Sequence, residues 1–216
     1  MPWFYYVGRL IVRTLLLLLT RWQIKGRENI PSQGALLIVA NHLHLVDSPL
    51  LVVSLGRRVI FMAKKELFHF RLIGYFVRGF GAFSVHRGQL DKKALRQVYQ
   101  LLADGQALVV FPEGTRSKNA QLQYAFPGAA LIALRSGVPI LPVGINGTEK
   151  IKGVAWILHR PRITVNIGHP FYLPSVNSKL TKVKLAEFTN FIMEHIAELL
   201  PPQYRGNCAG KEIRWH

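Results

Sequence analysis

The chain has 216 residues, half of them apolar, and its 28 Lys and Arg against 11 Asp and Glu leave a formal charge of +17. That length suits one domain with a substantial core, and that charge draws polyanions, nucleic acid or anionic lipid, and repels cationic partners. A single cysteine, Cys208, excludes a disulfide framework within the chain and fits a reducing compartment.

The first predicted element is a helix over residues 3–22, apolar around most of its circumference, with Arg9 and Arg13 one turn apart on one side. Its longest charge-free stretch, residues 14–20, is far shorter than the roughly 20 apolar residues that a membrane-spanning helix needs. Trp3, Phe4, Tyr5 and Tyr6 precede the apolar part and Trp22 follows it, as rings do that settle at a bilayer interface. A signal peptide fits poorly, because no small-x-small cleavage site follows and Arg21, Lys25 and Arg27 come next. The segment reads as an in-plane membrane anchor, with a buried first helix of the fold as the alternative. Residues 1–22 are therefore expected to associate with a membrane, and 23–216 to form the globular domain.

Residues 22–36 pass through Gly26, Pro31 and Gly34 and read as a turn-rich lead-in. Short runs rich in Val, Ile and Phe then mark buried strands at 35–40, 59–62, 81–85, 107–111, 140–145 and 163–167. Helical patterns lie between them at 49–54, around 68–80, at 90–103 and 128–136, and a last amphipathic helix covers 182–200. This alternation predicts an α/β fold in a single domain, a mixed, largely parallel β-sheet covered by helices.

The most informative segment is NHLHLVDSPL, residues 41–50, directly after a buried strand and before a helix. Pro49 suits the first helical turn, with Asp47 or Ser48 as its cap. A polar cluster at a strand's end is where α/β sheets usually bind ligands. Four residues separate His42 from Asp47, enough for the carboxylate to turn back onto one imidazole nitrogen and leave the other to take a proton from a substrate hydroxyl. That is the base-and-orienter half of a serine hydrolase triad, with the acceptor alcohol in place of the serine. No Gly-x-Ser-x-Gly elbow occurs in the chain. A zinc site of His42, His44 and Asp47 is the rival, but Ser48 stands where the usual His-x-His-x-Asp-His cluster has its last histidine.

FPEGTRS, residues 111–117, also follows a buried strand. Gly114 permits close backbone approach, Thr115 offers a hydroxyl and Arg116 a planar fork suited to phosphate. Glu113 is placed to hold that arginine or to bond a substrate hydroxyl. Lys64 and Lys65 follow one strand and Arg87 follows another, so the cations are expected to converge at equivalent strand ends on an anionic substrate group. The aromatics cluster in the first helix and in apolar runs instead of alternating with basic residues on a sheet face, which speaks against a nucleic-acid partner. A non-catalytic binder of anionic lipid explains the charge but gives no reason for the His-Asp pair.

Together these blocks resemble the lysophosphatidic acid acyltransferase family of glycerolipid acyltransferases, whose four ordered motifs match NHLHLVD, GAFSVHR, FPEGTRS and VPILPV here. The resemblance implies that His42 is the general base and Asp47 its orienter, and that Arg87, Glu113, Gly114, Thr115 and Arg116 bind a phosphorylated acceptor. It places Pro139 and Pro142 in the block that shapes the pocket floor or acyl-chain region. It further implies acyl-CoA or acyl carrier protein as donor, a lysophospholipid acceptor, and no metal or other cofactor. Two positions depart from the pattern: His44 stands where relatives commonly carry a small hydroxyl residue, and Phe126 where many carry lysine two residues before a glycine. Charge and the anchor place the protein at an anionic membrane surface, on the cytoplasmic face.

Overall fold

The computed structural model describes residues 3–64, 83–85, 92–174 and 180–206. Their elements are α1 (Trp3–Leu19), β1 (Arg21–Lys25), β2 (Leu36–Ala40), α2 (Asp47–Ser54), β3 (Val59–Lys64), β4 (Phe83–Val85), α3 (Lys92–Ala103), β5 (Ala107–Val110), α4 (Gly128–Ser136), β6 (Ile140–Asn146), α5 (Trp156–His159), β7 (Arg162–Ile167), α6 (Lys182–Glu198) and α7 (Pro202–Arg205). The strands among them form a seven-stranded sheet in the order β1-β7-β6-β2-β5-β3-β4. From β6 to β4 all neighbours are parallel, whereas β7 meets β6 antiparallel and pairs parallel with β1. This is the mixed, largely parallel sheet that the alternation of elements predicts.

The central strands are apolar throughout because both of their faces are covered. In β2 alternate side chains divide between two cores: Leu36, Ile38 and Ala40 meet α1 and α2, while Leu37 and Val39 meet α3, α4 and α6. Pro142 stands in this interior without breaking it. Its carbonyl accepts from Gly168 at 3.0 Å on the β7 side, so its missing N–H faces the point where that ladder ends, and β2 loses no bond.

Three differences from the sequence reading have physical causes. The lead-in at 22–36 contains a strand, β1, whose Trp22 and Ile24 turn inward while Arg21, Gln23 and Lys25 stay exposed. Charges on one face of an edge strand hid a period-two pattern there. The first helix stops at Leu19 instead of Trp22, because the Thr20 hydroxyl takes the Leu16 carbonyl and the Arg21 amide takes that of Pro161 to open the β1–β7 ladder. The last helix ends at Glu198, two residues early. The helical pattern around 68–80 and Cys208 lie outside the described residues.

Against α2, α1 buries only a narrow stripe that includes Tyr5 and Leu16. Its outward side is apolar, with Tyr6, Val7, Leu10, Ile11 and Leu18 exposed, Leu10 and Leu18 at 64% each. Among the described residues no helix is long and apolar enough to cross a membrane.

Candidate active site

Because β2, β3, β4, β5 and β6 are parallel, their C-terminal ends share one edge of the sheet, and the two motif loops leave from it. Asn41 fixes the first departure. Its side-chain amide donates to the Ile145 carbonyl at 2.8 Å and its oxygen accepts the Ile145 N–H at 2.7 Å. A side chain thus continues the β2–β6 ladder past its last backbone pair, Ala40 with Val143. The next residue binds the loops to each other: the His42 amide donates to Glu113 Oε1 at 2.9 Å, and the Ser117 amide donates to the His42 carbonyl at 2.8 Å.

The imidazole of His42 is held from two sides. Its Nδ1 meets Asp47 Oδ2 at 2.8 Å, and its ring stacks on Phe111 with centroids 4.1 Å apart and planes 15° from parallel. Asp47 Oδ2 also accepts the amides of Leu43 and His44, each at 2.7 Å. Three donors on one oxygen explain why Asp47 does not cap the helix as expected. α2 begins at Asp47 itself, with no side-chain cap bond, and the carboxylate turns back into the loop. Asp47 is fully buried and His42 nearly so. With Nδ1 as the donor to Asp47, the neutral ring has Nε2 as its acceptor, and among the described residues no hydrogen bond reaches that atom.

Glu113 sits deeper than its motif suggests. It is buried, and its second oxygen accepts the Gln123 amide at 2.9 Å, so both oxygens serve backbone N–H groups and neither holds Arg116. Burial pushes its carboxyl up to about 8; the two amide bonds pull it down, and the nearby Asp47 charge adds to the rise. Gly114 has φ of +65°, and a Cβ there would stand 2.9 Å from the Phe126 ring. The glycine thus answers a close approach within the protein, by the same phenylalanine that departs from the family pattern. Thr115 and Arg116 are exposed on the same edge. His44, half-buried, is held low chiefly by burial, with Asp47 opposing and the Arg116 and His42 charges reinforcing.

Its Nδ1 accepts the Val46 amide at 3.4 Å. The nitrogens that a zinc ion would need from His42 and His44 are thus partly spent within the loop, and among the described residues no group of three His, Cys, Asp or Glu forms a metal-like cluster. Lys64 closes β3 at the same edge, while Lys65 and Arg87 lie outside the described residues. The two prolines are not brought to His42. Pro139 precedes β6 at the opposite edge, where its carbonyl accepts the Leu37 amide at 3.0 Å, and Pro142 lies in the strand interior beside Gly168. Sequence reasoning missed the parts played by Asn41 and Gln123: Asn41 belonged to the motif but was given no task, and Gln123 acts through its backbone, which no side-chain pattern reveals.

The model of the acyltransferase family matches residues 21–146. A chloroplastic 1-acyl-sn-glycerol-3-phosphate acyltransferase of Brassica napus is 35% identical over 69% of the chain and 44% of its own length, so the chain spans less than half of that relative. The 1-acyl-sn-glycerol-3-phosphate acyltransferase of Bacillus subtilis is 28% identical over 82% of the chain and 87% of its own. Among solved structures, the 1-acyl-sn-glycerophosphate acyltransferase PlsC of Thermotoga maritima superposes with a TM-score of 0.70 at 25% identity, covering 90% of the chain and 77% of that structure.

Proposed function

The chain belongs to the acyltransferase family, and on that premise we propose that it moves a fatty acyl group from a thioester to the sn-2 hydroxyl of lysophosphatidic acid, forming phosphatidic acid. The observation that carries this reading is the buried His42–Asp47 pair, 2.8 Å apart, at the C-terminal end of β2. Asp47 fixes the ring and keeps the proton on Nδ1. Nε2 takes the acceptor's hydroxyl proton as its oxygen attacks the thioester carbonyl. The tetrahedral intermediate collapses by breaking the C–S bond, and the departing sulfur takes the proton from Nε2. The products are an ester and a free thiol, with His42 returned to its starting form. Neither a protein nucleophile nor a cofactor is required, since the thioester is already activated.

Glu113 is a positioning residue that locks the His42 backbone, while Thr115, Arg116 and the Gly114 backbone receive the acceptor's phosphate. Arg87, Lys64 and Lys65 supply the rest of the positive field. The donor is acyl-CoA or acyl carrier protein. The outward side of α1 lies in the headgroup region of a membrane, on its cytoplasmic face, and gives the active-site edge access to lipid substrates.

The test is to supply oleoyl-CoA or oleoyl-carrier protein with lysophosphatidate, glycerol 3-phosphate or other lysophospholipids, and to follow labelled product for wild type and His42→Ala. Phosphatidate from lysophosphatidate is expected in wild type, falling about 100- to 10,000-fold in the variant. Product from none of the acceptors would leave a lipid-binding protein without this activity.

A further inference from the structure

A second basic site lies on the same sheet edge, away from His42. An open cleft of about 500 Å³ is lined by Arg21, Lys150, Lys152, Trp156, Arg160 and Arg162, among others, with no acidic residue in its wall. Topology fixes its position. β7 runs antiparallel to β6, so Arg162 at its start stands beyond the end of β6, and Arg21 pairs with it at the start of β1. Two and three strand spacings separate β7 and β1 from β2, which sets the cleft roughly 10–15 Å along the edge from His42.

The cations there are not neutralised from within. Among the described residues none of the five ion-pairs with a carboxylate. The acidic neighbour Glu149 is engaged elsewhere, its Oε2 by the Gly147 amide at 2.9 Å and its Oε1 by the Tyr204 hydroxyl at 2.6 Å. Arg160 holds a left-handed backbone, φ +41°, unusual for a side-chain-bearing residue. From it one guanidinium nitrogen donates to the Leu17 carbonyl near the end of α1 at 3.0 Å, joining the cleft wall to the N-terminal helix. Apolar side chains flank this charge instead of polar ones: Val154 and Leu158 are 82% and 86% exposed on one side, and Leu17 and Leu18 are exposed on α1. Cations and a half-buried tryptophan among exposed aliphatic side chains suit the boundary between headgroups and acyl chains.

We propose that this cleft binds the phosphate of an anionic phospholipid in the bilayer, a lipid that is neither donor nor acceptor, with Val154 and Leu158 entering the leaflet beside it. The headgroup sits among Arg21, Lys150, Lys152, Arg160 and Arg162 and, through Arg160, ties α1 to the domain while docked. The active-site edge then faces the leaflet that supplies the acceptor. This rests on the membrane-surface reading of α1 but not on the chemistry at His42.

The test compares binding of the full chain to phosphatidylcholine vesicles with and without about one-third phosphatidylglycerol. The variants are the exposed pair Lys152→Gln/Arg162→Gln, the apolar pair Val154→Ser/Leu158→Ser, and Lys93→Gln/Arg96→Gln on α3, which removes the same charge from the opposite face of the sheet. Loss of two surface cations is expected to weaken binding to the anionic vesicles about tenfold or more. The apolar pair weakens binding to both vesicle types, and the α3 pair changes binding much less. All three keep wild-type acyl transfer in detergent micelles, which shows that they fold and separates failure here from failure of the acyltransferase reading. Equal losses from the cleft and α3 pairs would overturn the proposal, reducing the effect to net charge. A raised KM for acyl-CoA in the cleft pair would overturn it by making the cleft a donor site. Displacement from vesicles by glycerol 3-phosphate, beyond that of sodium chloride at equal ionic strength, would overturn it in favour of a soluble phosphate.

Discussion

Asp47 Oδ2 receives the His42 imidazole and the Leu43 and His44 amides within 2.8 Å, so its removal loosens the loop as well as the imidazole. Asp47→Asn keeps one acceptor oxygen for three donors. Its kcat is expected to fall about 100-fold or more in initial-rate assays, with KM for the acceptor little changed, because the ring loses its orienter and not its binding groups. Glu113 makes a different prediction. Its carboxyl titrates near 8 when folded, against 4.5 as the reference, so the folded state keeps a proton that the unfolded chain releases. The resulting stability is full below 4.5, declines as pH rises towards 8 and is absent above it. In urea titrations the gap between wild type and Glu113→Gln should therefore narrow from pH 5 to pH 8 and stay constant beyond; a constant gap throughout would mean an ionised Glu113. The contact of His42 with Asp47 was legible because spacing along one loop limits what can meet. That of Glu113 was not, since the same motif fits an exposed clamp or a buried strut, and burial alone separates them.

At the scale of elements, the loop after β5 is shaped by Gly114 against Phe126. Gly114→Ala combines a left-handed φ with a contact at 2.9 Å, and is expected to cost about 1–3 kcal/mol in a denaturant midpoint, partly recovered by Phe126→Leu. Central strands were readable as continuous apolar runs because both faces are covered, and Leu37→Ala in β2 should accordingly cost about 2–5 kcal/mol. β1 was unreadable for the opposite reason: its inward Trp22 and Ile24 are too few to outweigh Arg21, Gln23 and Lys25. α1 was legible as apolar and too short to span a membrane. How narrow a stripe it buries depends on α2, whose position no local pattern in α1 contains.

For the molecule as a whole, sheet direction decides which loops meet. Five parallel strands bring the loops after β2 and β5 to one edge, and the reversed pair β7 and β1 brings Arg162 and Arg21 to it as well. A basic edge follows from the sequence once that topology is known, but not before. With the acceptor alcohol as nucleophile, thiol release must wait for the acceptor. The most direct measurement is thiol release from oleoyl-CoA by wild type and His42→Ala, with and without lysophosphatidate. Direct transfer based on His42 predicts release by wild type only when lysophosphatidate is present, and almost none from the variant. A burst of thiol without acceptor that leaves the acyl group on the protein, or undiminished release by His42→Ala, would contradict it.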